Sequence, residues 1–267
     1  ILDGSKDVII AAATAGGKTE AAFLPIVSLI ADKSSTGIRC LCVSPLKALI
    51  NDQFSRLEHL CGYAEVPVHR WHGDVSSTSK KELLKNPAGI LIITPESLEA
   101  FFVLRGSSVP KLFAGLDFVV VDELHAFIGS ERGRQLQSLL HRIELTIRRN
   151  IPRIGLSATL GDINLAADFL RPGKPDEVVR IVSSDEEQEI KLQLRGYKRT
   201  APRLTPKEAV KAESEGREVN PEDVLTGDRL DIADHLFRTL RGTDNLIFAN
   251  SRTVVEEISD CLRRKSE

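Results

Sequence analysis

The sequence predicts an open, doubly wound α/β domain, a parallel sheet with helices on both faces. Three observations carry this. Short runs of β-branched and apolar residues recur without polar alternation, which marks strands buried on both faces. Longer helix-compatible stretches lie between them, each long enough for the crossover that a parallel pair requires. Polar residues stand at the C-terminal ends of four of these runs, where open α/β sheets bind ligands.

In chain order the strand runs are "DVIIAA", "RCLCVS", "PVHRWHG", "GILIIT", "DFVVVD", "RIGLSA" and "EVVRIV". The helix-compatible stretches are "KTEAAFLPIVSLIA", "PLKALINDQFSRLEHLC", "PESLEAFFVLR" and "RGRQLQSLLHRIELTIRR". This alternation runs through residue 182, so residues 1–182 read as one domain. Residues 183–230 break the pattern. They open with the acidic "SSDEEQE", allow one amphipathic strand in "IKLQLRGY", and then turn polar around Pro202, Pro206 and Pro221, which reads as a linker or small insertion. Order returns over 231–267 with the helix "DIADHLFRTL", the strand "NLIFAN" and the helix "TVVEEISDCLRR". One strand and two helices cannot close a core, so this reads as the truncated beginning of a second α/β domain.

Composition narrows the classes. A chain of 267 residues with 42% hydrophobic and 28% charged residues can bury one large domain or two. The formal net charge of -2 advertises no global basic field, though it leaves room for a local basic groove. Cys40, Cys42, Cys61 and Cys261 lack paired zinc spacing and are too few for a disulfide framework. They read as free thiols, with Cys40 and Cys42 on one strand face as packing residues. No run is long enough for a membrane span, no signal peptide is evident, and a cytoplasmic location is expected. The chain starts at Ile1 and holds no methionine, so it reads as a piece of a longer protein.

The chemistry sits at the strand ends. After "DVIIAA", Gly16 and Gly17 let the backbone turn so that its N–H groups face a phosphate. Lys18 adds a charge, the following helix its positive end, and the Thr19 hydroxyl reaches Mg²⁺, with Thr14 and Ala15 in the same loop. Two positions depart from the GxxxxGK[ST] pattern: Ala12 stands where the first glycine belongs, and Ala15 where many related ATPases have glycine. Asp122 ends a buried strand and is suited to Mg²⁺, while Glu123 orients or deprotonates an attacking water, with His125 two residues on. Unpaired carboxylates at a buried strand end are costly, so a cation is their natural partner. Ser157 and Thr159 end another strand, with hydroxyls placed to bridge His125 or the phosphate region to a neighbouring groove, or simply to cap a helix.

A second face is read from "LCVSP" and "LIITP". Ser44 and Thr94 are expected as helix N-caps, with Pro45 and Pro95 in the first helical position. Two helix starts on one sheet edge offer N–H groups to successive backbone phosphates without base contacts. Trp71 reads as a packing residue, and His59, His141 and His235 as surface or packing residues on helices.

The ordered set "AATAGGKT", "DELH" and "SAT" resembles the first RecA-like domain of superfamily 2 helicases of the DExH type. The likeness extends through "SPLKAL" with "NDQ" at 44–53, "TPESL" at 94–98 and "DELHAFIGSERG" at 122–133, which together are similar to the large helicase-related (Lhr-like) branch. It covers about residues 4–182, and "NLIFANSR" is similar to the strand opening the second RecA-like domain. The resemblance implies a RecA-like P-loop NTPase fold, ATP and Mg²⁺ as cofactors, and a nucleic-acid partner, single strand or duplex junction, DNA favoured over RNA. It implies catalytic roles for Lys18, Glu123 and His125, Mg²⁺ ligation by Thr19 and Asp122, and coupling by Ser157 and Thr159. It implies strand contacts at Ser44, Lys47, Thr94 and Ser97, with Gly73 and Asp74 of "HRWHGD" as further candidates. The activity implied is ATP-driven unwinding or translocation. A duplex translocase and a non-catalytic, ATP-gated binding module, the latter motivated by Ala15, are the alternatives. A small-molecule kinase would leave the Ser44 and Thr94 helix starts without a role. The family also implies an adenine-reading segment before Ile1 and an arginine-bearing motif after Glu267, so this stretch alone is expected to hydrolyse little ATP.

Overall fold

The computed structural model describes residues 1, 4–13, 16–31, 37–158, 161–183 and 192–266. By its internal packing the chain divides into two units, Ile1–Gln188 and Glu189–Glu267. The first unit holds seven strands, β1 (Val8–Ala11), β2 (Cys40–Val43), β3 (Val68–Trp71), β4 (Ile90–Ile93), β5 (Phe118–Val121), β6 (Arg153–Ser157) and β7 (Val179–Val182). Each falls inside a run read as a strand. They form one sheet in the order β3-β4-β2-β5-β6-β1-β7, with every neighbouring pair parallel.

The helices are α1 (Lys18–Ile30), α2 (Lys47–Gly62), α3 (Ser77–Lys85), α4 (Pro95–Arg105), α5 (Val109–Phe113), α6 (Glu131–Ile147) and α7 (Ile163–Leu170). The expected crossover helices are α1, α2, α4 and α6. The additional α3, α5 and α7 have 9, 5 and 8 residues, too short for a 3.6-residue period to stand out in sequence.

Strand alternation sorts the apolar residues into two cores. Val8, Ile10, Cys40, Cys42, Ile90, Ile92, Val120 and Leu156 pack with Phe23, Ile26 and Val27 of α1 and Ile50 and Leu57 of α2. Ile9, Leu41, Val43, Leu91, Ile93 and Val121 pack on the opposite face with Leu98, Phe113, Leu136, Leu139 and Ala167 from α4 to α7. Neighbouring residues of one strand point to opposite faces, so each apolar run serves both layers. Cys40 and Cys42 share a face as expected, and all four cysteines are free and buried. Burial pushes the Cys61 thiol up to about 11 and Cys42 well above its ordinary value. Trp71 packs edge-on against Phe101, with ring centroids 5.5 Å apart, as a core-side residue.

Two strand readings need correction within this sheet. β3 is only partly covered and β7 is exposed at all four positions, although both runs were expected to be buried on both faces. They are the two edge strands, and the sheet's outer positions lie beyond the helices that cover its centre.

At the amino ends of the strands an ionic cluster replaces apolar packing. Arg171 donates from Nε and Nη2 to both oxygens of Asp7, at 2.6 and 2.8 Å, and from Nη1 to Glu144 at 2.9 Å. Arg153 donates to the other Glu144 oxygen at 2.7 Å, and its backbone N–H donates to Asp7. The cluster pins the starts of β1 and β6 to α6 and to the residue after α7.

The second unit contains α8 (Pro206–Ser214), α9 (Gly227–Leu240) and α10 (Arg252–Ser266). The stretch read as a linker therefore carries α8, opened by a capping box at Thr205 and Glu208, and the first residues of α9. α9 and α10 pack through Ala233, Ile258 and Cys261, with ion pairs between Arg229 and Glu257 and between Lys265 and Asp234. "NLIFAN" is not a strand, and neither is the described part of "IKLQLRGY". A strand needs a neighbouring backbone to pair with, and among the described residues this unit has no strand. Leu246 and Phe248 accordingly remain exposed. Among the described residues no helix is long and apolar enough to cross a membrane.

The ionic cluster makes a measurable prediction. Replacing Glu144 with alanine strands Arg153, a buried guanidinium, without its carboxylate, and is expected to cost about 3–5 kcal/mol. Urea denaturation of wild type and variant checks it; equal midpoints would show that the cluster does not hold the strand starts together.

Candidate functional site

The parallel sheet brings the tips of β1, β5 and β6 to one edge, with β6 between the other two. Two strand spacings, about 10 Å, therefore separate the glycine turn from Asp122. The turn is tight: Gly16 N–H donates to Ala13 O at 3.0 Å, and a Cβ at Gly16 would stand 2.9 Å from that oxygen. Gly17 has φ +71° and is the residue before α1, a left-handed position that glycine adopts without penalty. Lys18, the first residue of α1, lays its ammonium back on the turn and donates to Ala12 O and Ala13 O, each at 2.7 Å. Thr14 and Ala15, expected in this loop, lie outside the described residues.

Asp122 follows β5 and is 6% exposed. Burial pushes its carboxyl above the ordinary range, the Glu123 charge adds to this, and the hydrogen bond from Gln53 and the Lys18 charge oppose it. Gln53 Nε2, in α2, donates to Asp122 Oδ2 at 3.1 Å and to Thr19 Oγ1 at 3.3 Å. Asp122 Oδ1 accepts from the Glu123 N–H at 3.0 Å. Glu123 has φ +48°, a left-handed conformation that a side chain holds only at a cost of order 1–3 kcal/mol. The chain turns there into a 3-10 segment, which leaves Asp122 inward beside Gln53 and sets His125 near the β6 tip. His125 Nδ1 is 3.1 Å from Ser157 Oγ and 3.4 Å from Glu123 Oε2. Ser157 is fully buried, and its carbonyl accepts from Ala12 N–H at 3.2 Å. Ser157 thus touches the glycine turn through its backbone and His125 through its hydroxyl. Thr159 lies outside the described residues.

Along the same edge, Thr94 caps α4 as expected: Oγ1 accepts from Ser97 N–H at 3.2 Å and donates to Ser97 Oγ at 3.1 Å. Ser44 differs from expectation. α2 begins at Lys47, its cap position is Leu46 with no side-chain bond, and Ser44 is fully buried with no partner for its hydroxyl among the described residues. The Ser44 N–H is occupied by the Ile93 carbonyl at 3.0 Å, which continues the β2–β4 pairing past the strand and delays the helix start. Lys47 is exposed, and its ammonium is 3.3 Å from both oxygens of exposed Asp74. A Cβ at Gly73 would stand 3.2 Å from Lys47 Nζ, so glycine lets that lysine lie across the turn.

Two residues carry geometry that the sequence reading assigned no part. Gln53 joins the Thr19 hydroxyl to the Asp122 carboxylate; its only sequence signal was its place in "NDQ". Arg132 donates to Glu96 at 2.5 Å and to the Pro45 carbonyl at 2.8 Å, which ties the start of α6 to the chain entering α2 and to α4. Its signal was a basic residue just after Ser130, which caps α6 through Gly133 N–H.

The donor set suits a hard cation. Thr19 and Asp122 offer hydroxyl and carboxylate oxygens, the ligands Mg²⁺ prefers. Gln53 Oε1 is buried without a partner beside them. Together with a glycine turn that leaves no room for a Cβ at Gly16, these features fit a magnesium-bound phosphate group.

Comparison with known proteins agrees with the fold. The model of the DEAD/DEAH box helicase family matches residues 1–166. The Lhr helicase/uracil glycosylase of Escherichia coli (strain K12) is 34% identical over 197 residues, 66% of this chain and 12% of that protein. The ATP-dependent helicase Lhr-Core of Sulfolobus acidocaldarius is 33% identical over 190 residues, 66% of this chain and 22% of that protein. The chain therefore spans less than a quarter of the length of these relatives. Among solved structures, Mycobacterium smegmatis helicase Lhr bound to ssDNA and AMP-PNP matches with TM-score 0.72 at 24% identity, over 99% of this chain and 32% of that one. A DEAD-box helicase bound to ssRNA matches with TM-score 0.60 at 22% identity, over 69% of this chain and 38% of that one.

Proposed function

Because the chain belongs to the DEAD/DEAH box helicase family, we propose that it is the nucleotide-binding part of an ATP-driven motor that moves along or unwinds nucleic acid. One observation carries this: Lys18, Asp122, Glu123 and Ser157 lie along one sheet edge, beside the start of α4, where Glu96 is exposed. Bound Mg²⁺ and ATP supply the phosphoanhydride whose hydrolysis drives such a motor. Thr19 and Asp122 hold the metal. Lys18 leaves the Ala12 and Ala13 carbonyls to meet the phosphates, an exchange of two neutral acceptors for charged ones. Glu123 Oε2 orients the water and takes its proton. His125 and Ser157 link that carboxylate to the glycine turn and so report its state along the edge.

The partner we propose is a single strand or a junction, DNA in preference to RNA, on the likeness to helicase Lhr bound to ssDNA. Exposed Lys47, half-buried Ser97 on the α4 start that buried Thr94 caps, and the Gly73 turn form the contact. Ser44 is left out, since no atom of it reaches the surface. Contacts to backbone phosphates position a strand without reading its bases, which suits a protein that must move. Within this proposal residues 1–182 are the first RecA-like domain, 183–230 the passage to the next, and 231–267 the start of the second.

Lys18→Ala is expected to weaken Mg²⁺-ATP binding by about 10- to 100-fold, the worth of a lost charge-assisted hydrogen bond. Titration with a fluorescent ATP analogue measures this, and undiminished affinity would overturn the phosphate cradle. Glu123→Gln is expected to retain nucleotide but slow hydrolysis by about 10²- to 10⁴-fold in the full-length protein. Joint loss of binding and folding would instead make Glu123 structural. Binding of a mixed-sequence single strand is expected to fall steeply with salt, and Lys47→Ala to flatten the slope of log K against log salt by about 0.7. Fluorescence anisotropy across a salt series tests this, and binding that follows sequence rather than salt would remove the phosphate-tracking surface.

A further inference from the structure

We infer that Gln53 is a positioning residue for the metal ion of the proposed nucleotide site, holding the Thr19 hydroxyl and the Asp122 carboxylate together as one ligand pair. This rests on the nucleotide reading above and deepens it.

Gln53 lies on the inward face of α2, in line with Ile50, Leu57 and Cys61, all buried. Packing alone would favour another apolar residue there, because a buried amide costs free energy unless its donors and acceptor are used. Both donors are used on the site: Nε2 reaches Asp122 Oδ2 at 3.1 Å and Thr19 Oγ1 at 3.3 Å. These two oxygens come from elements that are not neighbours in the sheet, since Thr19 follows β1, Asp122 follows β5, and β6 runs between. Among the described residues no other hydrogen bond joins the first turn of α1 to the β5 tip. The amide oxygen is buried without a partner among the described residues, free to accept from a hydrated cation. An amide that donates to one ligand oxygen and to another while keeping a free acceptor fixes ligand orientation without itself taking a coordination position.

The Arg56–Glu20 ion pair, with Nη2 2.9 Å from Oε1, joins α2 to α1 one turn further along. α2 is therefore held against the helix that carries Thr19 at two successive turns, and Gln53 is placed by the helix rather than by a loop.

The test is a magnesium titration of fluorescent adenine nucleotide binding to the full-length protein, with a parallel titration in EDTA. Gln53→Ala is expected to raise the magnesium midpoint by about 10- to 100-fold, the usual consequence of losing a hydrogen-bond partner of the metal's ligands. Its affinity in EDTA is expected to equal that of wild type. Gln53→Met, similar in volume and helix preference but without donors, is expected to do the same while melting like wild type, which covers the case in which the alanine variant does not fold. An equal loss with and without magnesium would make Gln53 a packing residue and overturn the inference, as would an unchanged midpoint in the methionine variant. Wild-type full-length protein that binds no nucleotide in magnesium would overturn the nucleotide reading itself, an outcome distinct from wild type and variants binding alike.

Discussion

The parallel sheet is the constraint on which the rest depends. With all seven strands running the same way, every carboxyl end faces one edge and every amino end the other. A parallel strand cannot return by a tight hairpin, so the chain leaves the carboxyl edge through a crossover, and helix starts gather there. The glycine turn, Asp122, Ser157, Thr94 and the entry to α2 are successive exits of this kind. The amino edge shows the complementary solution. There Asp7, Glu144, Arg153 and Arg171 satisfy one another.

Charge at the carboxyl edge is held in a different balance. Asp122 is as buried as the amino-edge carboxylates but has no arginine partner among the described residues; its partners are an amide, a backbone N–H and a lysine at a distance. Lys18 bonds carbonyl oxygens of its own loop rather than a carboxylate. Cation and anion are both present and neither neutralises the other at close range. An edge built for stability alone would have paired them, as the opposite edge does. The left-handed backbone at Glu123 belongs to the same pattern, since it costs free energy locally and turns the chain so that Asp122 and His125 reach different neighbours.

α2 relates this edge to the second face. Its first residue is the exposed Lys47, and Gln53 follows six residues later, about 9 Å along a helix that rises 1.5 Å per residue. One helix thus presents a cation outward at its start and an amide to the Thr19 and Asp122 oxygens further in. Arg132 fastens the chain just before it to α4.

The sequence by itself determined the seven strands of the first unit, their parallel character, and the residues at the tips of β1 and β5. It could do so because each strand is a continuous apolar run, and because the polar residues that end such a run mark its tip. It also fixed the Thr94 cap, a contact made within four residues. What it missed lies between segments. Gln53 sits 34 residues from Thr19 and 69 from Asp122, and nothing local distinguishes it from a surface glutamine on a helix. Ser44 has the local chemistry of a cap, yet pairing with β4 claims its N–H and buries it. The exposure of β7, and the failure of "NLIFAN" to form a strand although its residues favour one, depended on what stands beside them. Local propensity and periodicity are properties of a segment, whereas burial, pairing and the meeting of two strand tips are properties of neighbours, and only the tertiary structure chooses those.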